Sequence, residues 1–233
     1  MAPWFGKRAV TAVAALCCAL TLAVTAVQAA TSEPERLVSQ LTAAVIDEIK
    51  AKRVELRGAR ATATGIDITT RLIAPKVDFA TLARRATGTA WDAAAPEQRA
   101  AIETQFRVLL VHVTAKLLAG YNDELLAVEP LTLAPDATEA EVPIKVTATR
   151  NTGDEPPEPM FVSLAKRDGN SGAQGVNPDQ WRIVDVRAEG ISLVKLYAGN
   201  FAAVLARGEG LDNLITLLIE RNKLNAQQLA PRD

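Results

Sequence analysis

Apolar residues recur at helical spacing along two long stretches of the chain. In residues 34–57 they fall at every fourth position, so a helix there would be apolar on one face and charged on the other. A longer stripe follows Pro96, a residue suited to the first turn of a helix, and it continues for about five turns. A face of that length predicts a broad apolar partner. The two stripes consist of Leu37, Leu41, Val45 and Ile49, and of Ile102, Phe106, Leu109, Leu110, Val113, Leu117 and Tyr121.

Shorter helices are predicted on either side of the long stripe and near the C-terminus. Residues 67–74 and 76–88 each form a short helix that a proline or a glycine ends. Residues 192–207 begin at Ser192, whose hydroxyl can cap a helix, and end before a glycine. Residues 211–223 again carry apolar side chains at helical spacing.

Between the helical regions, apolar and polar residues alternate with the period of a β-strand. The alternation predicts four antiparallel strands with one apolar face, the last two joined as a hairpin. They span residues 124–133, 141–150, 160–169 and 180–190. The sequence therefore predicts an α+β fold: a four-stranded antiparallel sheet wrapped by about six or seven helices, with an apolar pocket between the sheet and the helices.

The first 29 residues have the composition of a secretory signal peptide. Lys7 and Arg8 precede an uncharged run that ends at Val27, and small residues suit cleavage after Ala29. The run is short and rich in alanine and threonine, which favours cleavage over retention as a membrane anchor. We therefore expect export from the cytoplasm.

The remaining residues, 30–233, are expected to form a single domain. Its helical part would cover roughly 34–121 and 192–223, and its sheet roughly 124–188. Removal of the signal peptide lowers Lys+Arg from 26 to 24 against 27 acidic residues, so the mature chain carries a net charge of about −3. Without a basic field, we expect no nucleic-acid partner.

Cysteine and histidine usage narrows the possible chemistry. Cys17 and Cys18 both lie inside the predicted signal peptide, so the mature chain would have no thiol for a disulfide or a thiolate metal site. With one histidine, His112, a metal site would depend on carboxylates. We expect neither a metal nor another cofactor.

Candidate catalytic patterns are weak. Residues Gly169–Ala173 approach the nucleophile elbow of hydrolases, but an alanine replaces its last glycine, which favours a hairpin loop. Gly208 and Gly210 favour a turn between helices over a phosphate-binding loop. His112 is interpreted as a boundary or surface residue, and Asp185 as an outward-facing acid hydrogen-bonded to a neighbouring loop. We therefore predict that the protein is not an enzyme.

The apolar faces of the sheet and of two helices predict a smooth cavity. A filled core uses the same residue types and stays an alternative, although an aromatic content of 4% slightly favours the cavity. The predicted lining consists of Leu109, Val113, Leu117, Tyr121, Val142, Ile144, Val146, Val162, Leu164, Val184, Val186, Leu193, Val194, Tyr197 and Phe201.

Several segments occur in a distinctive order and spacing. They are PKVDFATLARRATGTAW, PEQRAAIETQFRVLL, Tyr121, WRIVDVRAEGISLVKLYAGNF and GEGLDNLITLL. In this order they resemble the MlaC family of periplasmic phospholipid-binding proteins, also called the toluene-tolerance auxiliary family, over residues 34–223. Thr114 and Ala198 depart from the family pattern, which commonly has a tyrosine and an arginine at these places.

The resemblance implies a soluble carrier that shuttles phospholipid between the outer membrane and an inner-membrane ABC transporter with an MCE-domain protein. It implies a pocket that takes acyl tails and leaves the head group near solvent. Further expected partners are phospholipid itself and an outer-membrane lipoprotein–porin complex, and we expect a monomer. The alternatives are a hopanoid-associated branch of the same family, an adaptor with a filled core and no ligand, and a hydrolase.

Overall fold

Residues 31–121, 123–147, 159–167, 180–208 and 210–227 are described by the computed structural model. The predicted signal peptide, its two cysteines and the loop Gly169–Ala173 lie outside these residues. Within the described part, the chain forms eight α-helices rather than six or seven. They are α1 Glu33–Ala51, α2 Arg53–Arg57, α3 Ala61–Ile68, α4 Phe79–Thr87, α5 Ala90–Ala93, α6 Pro96–Ala119, α7 Leu193–Leu205 and α8 Gly210–Gln227.

The helices differ from the predicted ones at three places: the first is divided, α3 begins at Ala61 instead of at Asp67, and the short helix α5 was not predicted. The helix predicted over 34–57 ends at Lys52, whose backbone leaves helical geometry, and a separate short helix follows. At its start, Ser32 caps α1 by accepting a hydrogen bond from the backbone N–H of Glu35. After α3 the chain continues as a π-helical turn, Thr69–Ile73, and a 3₁₀ turn, Ala74–Lys76.

The described strands form one antiparallel sheet of five strands in chain order, where the sequence predicted four. The strands are β1 Leu125–Val128, β2 Glu139–Thr147, β3 Met160–Lys166, β4 Trp181–Ala188 and β5 Ile191–Ser192. The fifth strand is only two residues long and follows a tight turn in which Glu189 and Gly190 both have positive φ. Such a turn is typical of a two-residue hairpin, so the chain pairs with β4 before it enters α7.

A β-bulge in β4 changes which of its residues face the core. Ser163 pairs with Asp185, whereas the next residue of β3 pairs with Ile183, which leaves Val184 as the extra residue. Ile183 belongs to the apolar cluster on the sheet, and Val186 packs against that cluster. One extra residue shifts the in-and-out alternation, so Val184 and Val186 are not equivalent positions as the sequence pattern suggested.

Two large apolar clusters and one smaller cluster hold the described part together. The helical core lies where α4, α6, α7 and α8 meet, and at its centre the ring of Phe106 packs edge-on against Tyr197 and Phe201, at centroid distances of 5.0 and 5.3 Å. The sheet core joins Val38 of α1 to the inner face of the sheet. The end cluster is formed by Ile49, Leu56, Ile68 and partly buried neighbours.

The long stripe of α6 therefore has a different partner from the one predicted. Ile102, Phe106 and Leu109 pack in the helical core, among residues of α4, α7 and α8, instead of against the sheet. Residues nearer the C-terminal end of α6 approach the sheet across a cavity. The reason is that an apolar face about five turns long can pack against two partners in succession.

Helices α3 and α6 cross in close contact at Gly65. A Cβ atom added there would lie 2.6 Å from the carbonyl oxygen of Ala115 and 2.9 Å from its Cα. Both distances are shorter than van der Waals contact and involve backbone atoms, so a side chain at this position would push the two helices apart.

Gly65→Ala is therefore expected to destabilise the protein by about 1–3 kcal/mol through overpacking, although alanine is the better helix former by about 1 kcal/mol. Gly199→Ala is the matched control, because Gly199 lies in α7 with open space around it. This second change should stabilise by up to about 1 kcal/mol. Urea unfolding of both variants measures the difference, and equal free energies of unfolding would contradict a close helix crossing.

In the part of the chain that the structure describes, no helix combines the length and apolar character needed to cross a membrane.

Candidate functional site

An open cavity of about 440 Å³ is lined by residues from all three apolar clusters. Its walls come from α1, the π-helical turn, α6, the inner face of the sheet and the beginning of α7. Most lining side chains are aliphatic. The cavity therefore offers an environment for hydrocarbon, with few groups able to do chemistry.

Three large apolar side chains on the cavity wall are also exposed to solvent. Leu117 is 69% exposed, Ile191 59% and Leu196 50%. They come from three separate elements, α6, β5 and α7, so the cavity wall reaches the protein surface at apolar side chains, which we call the mouth. The cavity thus has an apolar mouth, whereas an ordinary filled core would have its apolar side chains covered.

Of the fifteen residues predicted to line a pocket, the structure places seven on the wall of this cavity. Two of them lie in α6, one just after α6, one in α7 and three in the sheet. These residues are Val113, Leu117, Tyr121, Ile144, Val162, Val186 and Leu193.

The other eight predicted residues do not line this cavity. Four of them fill the helical core: Leu109, Val194, Tyr197 and Phe201. Four belong to the sheet: Val142 and Leu164, fully buried in the sheet core; Val184, at the bulge; and Val146, opposite Leu126 near the sheet edge. The physical reason is that the apolar faces of the helices and strands extend beyond the cavity, where other side chains pack against them.

Helix α1 is the main part of the wall that the sequence did not identify. Its apolar stripe was visible in the sequence, but helical spacing alone does not show which partner an apolar face meets. The π-helical turn and the short strand β5 were missed as well, since neither has a distinctive local pattern. The residues added by the structure include Val38, Leu41, Thr42, Val45, Ile46, Ile49, Thr69, Ile73, Leu126, Met160, Ile183, Asp185, Ile191 and Leu196.

Tyr121 is a polar residue on the wall whose hydrogen bond is already made. Its hydroxyl donates to the backbone carbonyl oxygen of Glu124 at 2.5 Å. Burial raises the pKa of Tyr121, and the negative charges of Glu124 and Asp123 raise it further. The phenol is therefore protonated at neutral pH and serves to hold the chain after α6.

Asp185 joins β4 to the start of α7. Its carboxylate accepts hydrogen bonds from the N–H of Val186 at 2.8 Å, the hydroxyl of Ser192 at 2.6 Å and the N–H of Val194 at 3.1 Å. The Ser192 hydroxyl in turn accepts from the N–H of Lys195 at 3.0 Å. Asp185 is thus bonded to the start of α7 instead of to a neighbouring loop, and it is also one of the residues on the cavity wall.

His112 is buried, which corrects its interpretation as a boundary or surface residue. Its Nδ1 donates to the carbonyl oxygen of Val108 at 2.9 Å, and its Nε2 has no partner in the described part of the chain. Helices α3 and α8 both pack on α6, so a position beside the apolar stripe is covered as well. His112 does not line the cavity.

Comparison with known proteins places this geometry in a family. The profile of the MlaC protein matches residues 39–220. The chain belongs to the MlaC family. The resemblance read from the sequence segments is thereby confirmed, over nearly the same residues.

A solved member of this structural group has a bound ligand. A phospholipid-binding protein from Ralstonia solanacearum, solved in complex with a phospholipid, is 27% identical and superimposes with a TM-score of 0.68. The match covers 84% of this chain and 99% of the Ralstonia chain. No curated protein matches the chain.

Proposed function

We propose that this MlaC-family protein is a phospholipid carrier of the periplasm. It would move lipid between the outer membrane, with its lipoprotein–porin complex, and an inner-membrane ABC transporter that has an MCE-domain protein. The observation that carries the proposal is an aliphatic cavity with an apolar mouth, in a chain similar to a protein solved with phospholipid. The predicted signal peptide supports export, and we expect the carrier to be a monomer.

The size of the cavity indicates how a lipid would be held. An apolar cavity of about 150 Å³ takes one benzene molecule, so 440 Å³ has room for roughly eighteen carbon atoms, or one long acyl chain. We infer that one chain of a two-chain lipid occupies the interior. The second would lie against Leu117, Ile191 and Leu196 at the mouth, with the head group in solvent.

The aliphatic wall of the cavity suits a protein that exchanges lipid more than a protein that retains it. Burial of about 16 methylene groups releases on the order of 13 kcal/mol relative to water. A membrane or another apolar pocket offers nearly the same environment, so the difference in free energy on transfer is small. Aliphatic walls with few polar anchors therefore permit exchange in both directions.

Two other functions fit the observations less well. An adaptor with a filled core would not have a cavity of this size or an exposed apolar mouth. A hydrolase would need a nucleophile and a base together, and His112 lies away from the cavity with its Nδ1 bonded to its own helix. A hopanoid-associated carrier would use the same cavity, and the identity of the bound lipid separates it from a phospholipid carrier.

Protein purified from a periplasm without detergent is expected to carry about one two-chain phospholipid, because the aliphatic cavity offers bound chains a better environment than water. Native mass spectrometry and lipid extraction test this directly. Incubation with liposomes and then with an acceptor bearing the MCE domain should move the lipid without nucleotide. Recovery of empty protein, together with no uptake from liposomes, would overturn the proposal and favour the adaptor.

A further inference from the structure

Thr69 carries a buried hydroxyl that makes no hydrogen bond. The residue is only 2% exposed, and its Oγ1 has no partner in the described part of the chain. A buried hydroxyl without a partner costs about 1–3 kcal/mol. It lies at the first residue of the π-helical turn, a feature that is common at functional sites.

Two other helical threonines of this protein satisfy their hydroxyls locally. Thr87 donates to the carbonyl oxygen of Ala83 at 2.7 Å, and Thr216 donates to that of Asp212 at 2.9 Å. Both bonds go to the residue four positions earlier, as is usual for threonine in a helix. Thr69 has the same opportunity at Gly65 and does not use it, so its hydroxyl is available to another acceptor.

Thr69 also lies on the cavity wall, and the other polar side chains there are already hydrogen-bonded or accessible to water. The carboxylate of Asp185 accepts three hydrogen bonds, and the hydroxyl of Tyr121 is bonded to Glu124. Thr42 and Thr114, which also line the cavity, are only half-buried, so water can solvate their hydroxyls. The Thr69 hydroxyl oxygen is covered by protein in its present rotamer, so donation to a ligand requires rotation to the second rotamer that threonine populates in a helix.

We propose that Thr69 donates a hydrogen bond to an acyl ester carbonyl oxygen of the bound lipid. This inference rests on the proposed function. The ester carbonyl is the acceptor attached directly to the acyl chain, so it is the oxygen that enters an apolar cavity with the hydrocarbon. A phosphate oxygen would bring a charge into the same space at a much greater desolvation cost. Thr69 would therefore set how deep the chain sits and which linkage is preferred.

Paired lipids isolate this hydrogen bond. Liposomes containing equal amounts of a diacyl ester phosphatidylglycerol and its dialkyl ether analogue, matched in chain length, are incubated with the protein. The bound lipids are then quantified by mass spectrometry. A net hydrogen bond of about 1 kcal/mol predicts that the wild-type protein takes up the ester form about 5-fold in excess over the ether form.

The variants separate a ligand contact from a structural role. Thr69→Val keeps the shape and removes the donor, so the ester-to-ether ratio should fall to about 1; Thr69→Ser keeps the donor and should retain the preference. Thr216→Val, outside the cavity, should leave the ratio unchanged. A structural effect of Thr69 would change the uptake of both lipids equally.

Each outcome decides between the inference and the proposed function. Equal uptake of the two lipids by the wild-type protein, or an undiminished ester preference in Thr69→Val, would overturn the role of Thr69. Uptake of neither lipid by the wild-type protein would overturn the carrier function itself. If Thr69→Val fails to fold, the wild-type ratio and that of Thr69→Ser still decide, because loss of the preference in Thr69→Ser would contradict donation by the hydroxyl.

Discussion

Val113→Trp is expected to abolish phospholipid loading while the fold survives. Val113 lies on α6, on the cavity wall between the helical core and the mouth. An indole projecting into the 440 Å³ space would displace about six methylene groups of an acyl chain, worth roughly 5 kcal/mol or at least a 1000-fold loss of affinity. Native mass spectrometry after liposome incubation measures the loss.

Stability measurements on the same variant distinguish an open cavity from a filled core. In an empty cavity the indole replaces solvent or lipid, so the melting temperature should stay within a few degrees of the wild type. In a filled core the same change would overpack the site and destabilise by about 1–3 kcal/mol. Thr104→Trp, at an exposed position of the same helix, is the matched control and should load lipid normally.

The helices and central strands could be predicted because each has a strong period in the sequence. The stripe of α6, the Ser192 cap of α7 and the inward face of β3 all follow from that period. Features that depend on one or two residues could not be predicted in this way. The bulge at Val184 and the two-residue strand β5 change pairing without changing local composition, so the sequence placed Val184 and Val186 on one face.

The site was harder to predict than the fold because a cavity wall and a packed core use the same side chains. Phe201 and Val113 have similar patterns in the sequence, yet Phe201 contacts Phe106 and Tyr197 in the helical core, whereas Val113 lines the cavity. Leu117 was predicted to project into the pocket, and it lies on the wall at the mouth, mostly exposed. Which apolar residues meet empty space is decided by the positions of neighbouring elements, α1 above all.

Asp185→Ala is expected to cause the largest loss of stability of any single polar change on the cavity wall. The substitution leaves the N–H groups of Val186 and Val194 and the hydroxyl of Ser192 without their acceptor. Hydrogen bonds to a charged group contribute about 1.5–3 kcal/mol each, and water can replace part of this at a half-buried site. We expect a loss of about 3 kcal/mol, or a fall in melting temperature of roughly 6–12 °C for a domain of this size.

Matched variants show whether this loss belongs to the start of α7. Asp185→Asn keeps one acceptor oxygen and should lose about half as much, and Ser192→Ala should cost about 1 kcal/mol as a lost helix cap. Glu141→Ala removes an exposed carboxylate of the same sheet, paired with Arg187, and should cost no more than about 1 kcal/mol. Urea unfolding of the four variants ranks their losses of stability. If Asp185→Ala were as stable as Glu141→Ala, the Asp185 carboxylate would have no structural role.

The variants that lose the most stability should also retain bound lipid least well, because the first turn of α7 forms part of the cavity wall. Leu193 and Leu196 lie on that turn, and Asp185 fixes its first N–H groups against β4. Without the carboxylate, the turn loses its attachment to the sheet and the wall becomes less well defined. We therefore expect Asp185→Ala to release bound phospholipid to acceptor liposomes faster than the wild type, at a temperature where both are folded. An unchanged release rate would mean that the end of the sheet and α7 hold the lipid independently of this carboxylate.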